Sequence, residues 1–447
     1  MVISQDAKTS MTSMLKLEQL QTFQSHVSSY HAICPWLYGE KQKSWEIYQA
    51  LPFPKPKDET WRFSRSTKFE LAQYALPGKL DPAIEETLEE RSNFISSFAG
   101  KMVFADDYTI CFKSLPEELV KQGVRWKPLS EAIREDVDLL KPYLLKNYGT
   151  IGSDKFFNLH ATFFREGTFL YIPKNVVIEE PLISYHWSVA DQGALFPHTL
   201  VIAEEGAKAN LIDVFQSENK ESKAFSCGLA TIIAKEGADV FYKSVQNWNQ
   251  NTLSLQINDN VADKNAQLKS TSLNLGGSTA RTEAKTHIQG EGAHVKMYSL
   301  TVANNEQEID QRTYQSHEAP NTVSDLLYKN ALLDNARTIF AGLIRVEPNA
   351  QKTDAYQTNR NLLLSPTAQS NSLPGLEIEA NDVKCSHGAT SSMINPSELF
   401  YFQSRGIKKQ QAEELLVFGF FEEIIQKFEN QELAEAMRDL IKTKFKR

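Results

Sequence analysis

The stretch Gly237-Ala238-Asp239-Val240-Phe241-Tyr242 decides the fold, because its opening pair returns at Asn265-Ala266 and Gly292-Ala293. Successive copies lie about 28 residues apart, the range that marks stacked supersecondary repeats. Gly206-Ala207, Asn335-Ala336 and Asn349-Ala350 carry the same pair. Asn251-Thr252 and Thr279-Ala280 mark half-way points, about 14 residues on. Near these markers stand short runs such as Phe169-Leu170-Tyr171-Ile172, Leu200-Val201-Ile202 and Ala230-Thr231-Ile232-Ile233. Their length and β-branched or aromatic content read as strands. Two short strands per repeat, with no helical pattern between them, predict a parallel β-helix or solenoid. An antiparallel sandwich with evenly spaced turns is the alternative. One coil cannot bury its apolar side alone, so stacking makes the core, and each end of the stack leaves a raw strand that needs a cap or a partner's strand. The helical segments at both ends of the chain are natural caps.

Outward from this core the texture changes. Residues 1–150 read as a mostly helical region. Leu15, Leu17, Leu20 and Phe23 make a helical stripe, and a second helix is expected near Ser44 to Leu51 before Pro52, Pro54 and Pro56 force a linker. Pro128-Leu129-Ser130-Glu131 opens a further helix, with Ser130 as its cap and Gly149 as its stop. The solenoid is assigned to residues 151–394. Asn395-Pro396-Ser397-Glu398 then starts a C-terminal helical region, 395–447. Leu416, Phe420, Ile424 and Phe428 recur at four-residue spacing, and Leu433, Met437, Leu440 and Ile441 form a second stripe. Lys442, Lys444, Lys446 and Arg447 suit the end of that last helix. Leu416-Val417-Phe418-Gly419-Phe420-Phe421 is richer in apolar side chains than short packed helices need, which suits either internal packing or a docking surface for another protein.

The 447 residues allow two or three domains and a large core. A net charge of −8 argues against a nucleic-acid surface. Cys34, Cys111, Cys227 and Cys385 are scattered without a CxxC pair, which favours a reducing compartment over a disulfide framework. Met1 to Ser10 lacks an apolar leader core, and no run approaches a membrane span. A cytoplasmic location is therefore expected, or an organelle stroma if a transit peptide has been removed. There is no Walker A, H-E-x-x-H or G-x-S-x-G motif. Arg312, Arg337, Arg345 and Arg360 are candidates for a polysaccharide-binding face on a β-helix enzyme, and otherwise read as solvated strand ends.

The candidate site is Cys385 with His387, in the alternating run Val383, Cys385, His387. On a strand, residues two apart share a face, with Cα atoms about 7 Å apart. Thiolate and imidazole both suit iron and zinc. A buried cysteine beside a hydrogen-bonded histidine would look the same in sequence.

The segment Asn381-Asp382-Val383-Lys384-Cys385-Ser386-His387-Gly388-Ala389-Thr390 resembles the hallmark of the SufB/SufD family, scaffold proteins of Fe–S cluster assembly. Phe157 to Phe163, which resembles the family's opening core strand, and His317 to Asp325, Ala350 to Ala355 and Phe400 to Ile407 follow in the family's order, and Glu59-Thr60-Trp61-Arg62 is similar to its N-terminal region. His387-Gly388, with no cysteine between Ile344 and Leu373, is closer to the SufD branch, whereas Ser391-Ser392 departs from it. The resemblance implies a right-handed parallel β-helix with helical ends, acting as a non-catalytic subunit. It implies a SufB-like paralogue paired across the end of the β-helix near Cys385 and His387, and a SufC-like ABC ATPase on the C-terminal helices, through Glu398, Phe402, Arg405, Leu416 and Phe420. A homodimer is expected if the chain is isolated. The nascent Fe–S cluster would be transient and shared with the SufB-like partner. Whether a flavin binds is open. A cysteine and a histidine are two ligands where a cluster takes four, so the partner must supply the rest.

Overall fold

The computed structural model describes residues 16, 17 and 19–446. Leu15, Arg447 and the leader reading of Met1 to Ser10 lie outside them. The N-terminal region holds α1 (Leu20–Ile33), α2 (Pro35–Ala50), α3 (Pro82–Arg91), β1 (Gly100–Ala105), β2 (Tyr108–Lys113), α4 (Glu117–Lys121), β3 (Arg125–Pro128), α5 (Leu129–Glu135), α6 (Val137–Leu140) and α7 (Asp154–Phe163). The coils run through β4 (Gly167–Ile172), β5 (Leu182–Ser188), β6 (Gly193–Leu195), β7 (His198–Ala203), β8 (Lys208–Ser217), β9 (Ala224–Ala234), β10 (Asp239–Asn247), β11 (Thr252–Ala262) and β12 (Gln267–Asn274). They continue through β13 (Thr279–Ile288), β14 (His294–Ala303), β15 (Glu308–His317), β16 (Val323–Leu332), β17 (Arg337–Val346), β18 (Asp354–Leu363), β19 (Gln369–Ile378) and β20 (Lys384–Met393). The chain ends on α8 (Pro396–Ser404), α9 (Lys409–Ile425) and α10 (Gln431–Thr443). No described helix is long and apolar enough to cross a membrane.

The predicted solenoid is present. From β7 onward the strands alternate between two sheets, and every pairing among them is parallel. One sheet runs β2-β1-β5-β8-β10-β12-β14-β16-β18-β20 and the other β19-β17-β15-β13-β11-β9-β7-β4-β3, with β6 beside β9. The repeat seen in sequence is the corner between sheets. Gly206, Gly237, Asn265, Gly292 and Asn321 all adopt positive φ there. Glycine and asparagine tolerate that conformation, which explains the pairs that begin at Gly206, Gly237, Asn265 and Gly292, whereas at Asn335 and Asn349 the positive φ falls on the nearby Asp334 and Lys352. The residues that follow stack in one column, Ala207, Ala238, Ala266, Ala293, Thr322 and Thr353, each at most 1% exposed. A larger side chain at the alanines would push adjacent coils apart, as their carbonyls bond the next coil's Asp239, Gln267, His294 and Val323.

The helices cover the flanks of the stack. Phe156, Leu159 and Phe163 of α7 pack with Phe225, Cys227, Leu229, Leu253, Leu255 and Ile257 on the outside of the β9–β11 sheet. Val417, Phe421, Ile424 and Phe428, with Leu433, Met437 and Ile441, cover Val245, Leu273, Leu300 and Leu327 on the other. The C-terminal helices therefore cap a face of the solenoid and leave its end open, unlike the expectation. Four local readings also change. Phe157 to Phe163 is helix α7, buried all round, where a strand was expected. The helix expected from Ser130 breaks at Asp136 into α5 and α6, and Ser130 instead bonds the Glu166 carboxylate through its N and Oγ (3.0 and 2.7 Å). The buried stripe of α9 is rotated by one position at its start, Val417 and Phe421 in place of Leu416 and Phe420. The region expected to be mostly helical also supplies β1, β2 and β3 to the first coils.

Glu59-Thr60-Trp61-Arg62 lies along the outer face of the β13–β15–β17 strands, clamped by a buried ionic ladder. The Arg281 guanidinium, fully buried, donates to Glu283 (2.7 Å) and Asp310 (2.5 Å) and to the carbonyls of Thr60 (3.0 Å) and Ile151 (2.7 Å). It also sits 4.0 Å from the Trp61 ring. Arg312 donates to the Arg62 carbonyl (2.9 Å) and Arg337 to that of Phe63 (2.7 Å). Removing one member of a buried ion set strands the other charges. Arg281→Ala is expected to lower the free energy of unfolding by about 3–5 kcal/mol in a urea titration, and a loss below about 1 kcal/mol would show that the ladder does not hold the N-terminal segment.

Candidate functional site at the open end of the solenoid

Both sheets stop at the same end. β20 pairs with β18 alone and β19 with β17 alone, so each presents a free edge of backbone N–H and C=O groups. Cys385 stands opposite Ala355 and His387 opposite Gln357 in the β18–β20 register. Ala355 and Gln357 are 0% and 1% exposed, inside the solenoid. Cys385 and His387 thus share the inward face of the last coil, as the alternation predicted. With no further coil beyond them, Cys385 is half-buried and His387 exposed.

Cys385 packs beside Ile344, Val346, Ala350, Ala355 and Ala380. Burial raises its pKa, and the Asp354 carboxylate adds to the shift. The thiol is held in its protonated form until a metal or a base takes the proton. Among the described residues no group of three or more His, Cys, Asp or Glu side chains converges to hold a metal. The end therefore offers at most half of a cluster's ligands.

Sequence reasoning missed the polar lattice beside this pair. Asn361 Nδ2 donates to Asn359 Oδ1 (2.9 Å), to the Thr390 carbonyl (3.1 Å) and to Ser391 Oγ (3.3 Å). Ser370 and Ser391 hydroxyls meet at 2.7 Å across the exposed end of the last coil, and Ser372 donates to Asn359 (2.6 Å). Asn330 donates to Asn361 from the coil behind (2.8 Å). The signal was present as Asn330 and Asn361, one coil apart, but only the register shows that they share a column.

The docking candidates fall on α8 and α9. The Asn395 side chain caps α8 by accepting from Ser397 N (2.9 Å), and Gly406 ends the turn after it with φ +80°. α8 has no buried residue. Glu398 and Arg405 are exposed and Phe402 is half-buried. Phe400 is 69% and Tyr401 55% exposed, an aromatic pair that the sequence reading passed over. On α9, Leu416 and Phe420 are half-buried while Leu415 is 50% exposed. The Phe420 carbonyl accepts from Lys329 Nζ (2.8 Å), which bolts α9 to β16. Other histidines of the quoted motifs are internal. His160 meets the Cys227 carbonyl (2.7 Å) and His198 (2.9 Å), and His317 meets Thr322 and Ser324 (both 2.8 Å), its pKa pushed down to about 4 by burial. The candidate sugar-binding arginines do not form an open face. Arg312 and Arg337 hold the N-terminal segment, Arg345 pairs with Glu347 (2.9 Å), and Arg360 lies 3.9 Å from Glu423.

The fold is a parallel β-solenoid flanked by helices, with a thiol and an imidazole at its open end and a bare helix beside it. The chain belongs to the SufBD family: residues 186–420 match the SUF system FeS cluster assembly SufBD core domain, and residues 16–183 match the SufBD protein N-terminal region. It is 28% identical over 444 residues to the iron–sulfur cluster assembly protein SufD of Bacillus subtilis, covering 98% of this chain and 100% of that one. It is also 28% identical over 373 residues to an iron–sulfur cluster assembly SufBD family protein of Synechocystis, covering 80% and 77% of the two chains. A Staphylococcus saprophyticus member is 27% identical over 336 residues, 74% and 71%. The family gives this chain a role in Fe–S cluster assembly.

The raised thiol pKa has a measurable consequence. Alkylation of Cys385 by iodoacetamide, followed by mass spectrometry, is expected to rise with pH through a midpoint above the ordinary thiol value of about 8.5, while buried Cys34 and Cys227 stay unmodified in the folded chain. A midpoint below that value would contradict the environment described.

Proposed function

We propose that this chain is the SufD-like scaffold subunit of an Fe–S cluster assembly complex. It pairs with a SufB-like paralogue through the free edges of β19 and β20, and a SufC-like ABC ATPase binds the helices that follow. The observation that carries the reading is the open end, where two unpaired strand edges and an incomplete Cys385/His387 ligand pair coincide. His387 is the principal contributor to the nascent cluster, with Cys385 beside it, and the partner supplies the missing ligands. The cluster is cargo, assembled and passed on. The chain itself is a non-catalytic subunit, and ATP hydrolysis belongs to the partner.

The free edges explain why a paralogue fits. A partner with the same coil dimensions can continue both sheets and satisfy the row of backbone groups that β19 and β20 expose. The bare α8, with Phe400, Tyr401, Phe402, Glu398 and Arg405, and the outer side of α9, with Leu416 and Phe420, supply an apolar patch rimmed by charge. The proposed location is the cytoplasm or an organelle stroma, where thiols stay reduced.

Two substitutions separate the parts of this proposal. His387→Ala should leave the complex intact by size-exclusion chromatography while lowering cluster yield in reconstitution by about tenfold or more, the loss expected when one of few ligands is removed. Phe400→Ser with Tyr401→Ser should abolish capture of the ATPase in a gentle pull-down and retain the paralogue. Unchanged cluster yield from His387→Ala within an intact complex would leave the chain as an adaptor only.

A further inference from the structure

A cationic pocket lies on the outer face of the other flank, away from the open end. β10, β12 and β14 bring Lys243, Lys269 and Lys296 onto one face of the sheet, by the pairings Phe241 with Lys269 and Lys269 with Lys296. The turn between α9 and α10 lays Lys427 and Glu429 over them. Lys269, Lys296, Tyr298, Lys427 and Glu429 line an open pocket of about 130 Å³. Lys427 Nζ sits 4.8 Å from the Tyr298 ring centroid. Lys269 Nζ lies 5.6 Å, and Lys243 Nζ 4.0 Å, from the Phe241 ring.

The charges here do not balance. Glu429 pairs with Lys269 at 3.0 Å. Lys296 and Lys427 make no ion pair among the described residues. Asp325, next to Lys296 in the register, is bonded by the Tyr298 hydroxyl at 3.1 Å. Behind the pocket, Lys243 is fully buried with only the neutral Asn210 Oδ1 as hydrogen-bond acceptor, at 2.9 Å. A buried ammonium facing a neutral amide is costly, and three further lysines share carboxylates already engaged, Glu429 with Lys269, Asp325 with the Tyr298 hydroxyl and Glu423 with Lys329. The chain as a whole is acidic, at −8, so this excess is local and built by the fold.

We infer that this pocket binds a phosphate-bearing small anion, with Lys269, Lys296 and Lys427 contacting its oxygens and Lys243 supplying charge from behind. Ammonium groups bind phosphate as mobile point charges and require no planar fork. The volume is well below that of an ordinary ligand pocket of about 300–1,000 Å³, so the site takes a phosphoryl or diphosphoryl group and leaves any nucleoside outside. Glu429 competes with the anion for Lys269.

Isothermal titration of the full chain with inorganic phosphate, pyrophosphate and ATP at low salt tests this. Saturable binding of at least one is expected. Pyrophosphate exceeding phosphate marks a free diphosphate as the ligand, and ATP exceeding both marks a nucleotide. Lys296→Ala together with Lys427→Ala, an exposed and a half-buried lysine, should weaken binding by about tenfold or more, since each charge-assisted hydrogen bond is worth roughly a decade or better. Glu429→Gln should tighten it. Circular dichroism confirms that each variant is folded. Absence of saturable binding in the unsubstituted chain, or equal affinity in the double variant, overturns the assignment. Neither outcome bears on the Cys385/His387 end, which these substitutions do not touch.

Discussion

A stack of parallel coils has to stop somewhere, and at the stop a full strand loses the neighbour that every earlier strand had. This constraint shapes the chain. In the interior, each coil's N–H and C=O groups are met by the coils on either side, as in the uninterrupted run from β8 to β20. At the N-terminal end, β2 and β3 turn back antiparallel onto β1 and β4, which blunts the stack with short strands. At the C-terminal end nothing of the kind occurs. The chain leaves β20 through Ile394 and Asn395 and spends its last helices on the flank. The open edge is thus a product of where the C-terminal apolar residues go. Val417, Phe421, Ile424 and Phe428 have a hydrophobic face to cover on β10 to β16 and cannot also cover the end.

The two flanks are held by different physics. The C-terminal helices bind through apolar burial, reinforced by Lys329 reaching the Phe420 carbonyl and Glu423. The N-terminal segment around Trp61 is held by Arg281, Arg312 and Arg337 and the carboxylates of Glu283, Asp310 and Glu308. Burial of so much charge stabilises little by itself, because desolvation offsets the attraction. It does specify geometry, since each guanidinium also takes a backbone carbonyl of the segment it fixes. Residues that looked in sequence like a row for an acidic polymer are spent on this internal task.

The coils were legible because most of their corners need a residue that accepts positive φ, and glycine or asparagine supplies it at Gly206, Gly237, Asn265, Gly292 and Asn321, with Asp334 and Lys352 doing so at two others. The shared face of Cys385 and His387 was legible from strand period two. Which face it is was not, since inward and outward differ only in the register with Ala355 and Gln357. The strand expected at Phe157 to Phe163 rested on the resemblance alone, whereas the apolar Phe156, Leu159 and Phe163 recur at the helical spacing that α7 adopts. The phase of α9 slipped because Leu415 to Phe421 is apolar nearly all round, so several stripes fit. The break at Asp136 and the Ser130–Glu166 bond depend on residues distant in the sequence.

The placement of the thiols completes the argument for a composite site. Cys34 and Cys227 are buried, and Cys111 donates to Glu89 (3.1 Å) on the far coil. Cys385 is the thiol that reaches the unpaired end, on the same inward face as the exposed His387. Its raised pKa keeps it mostly protonated at neutral pH, and a ligand set completed from outside would remove that restraint by replacing a proton with a metal. α8 follows the same strand after two residues and buries nothing of its own. A partner seated on α8 would be in short covalent reach of the strand that carries the proposed ligands, whereas α9 is bolted to the solenoid. Of the C-terminal elements, α8 alone joins an uncovered aromatic surface to the incomplete end of the stack.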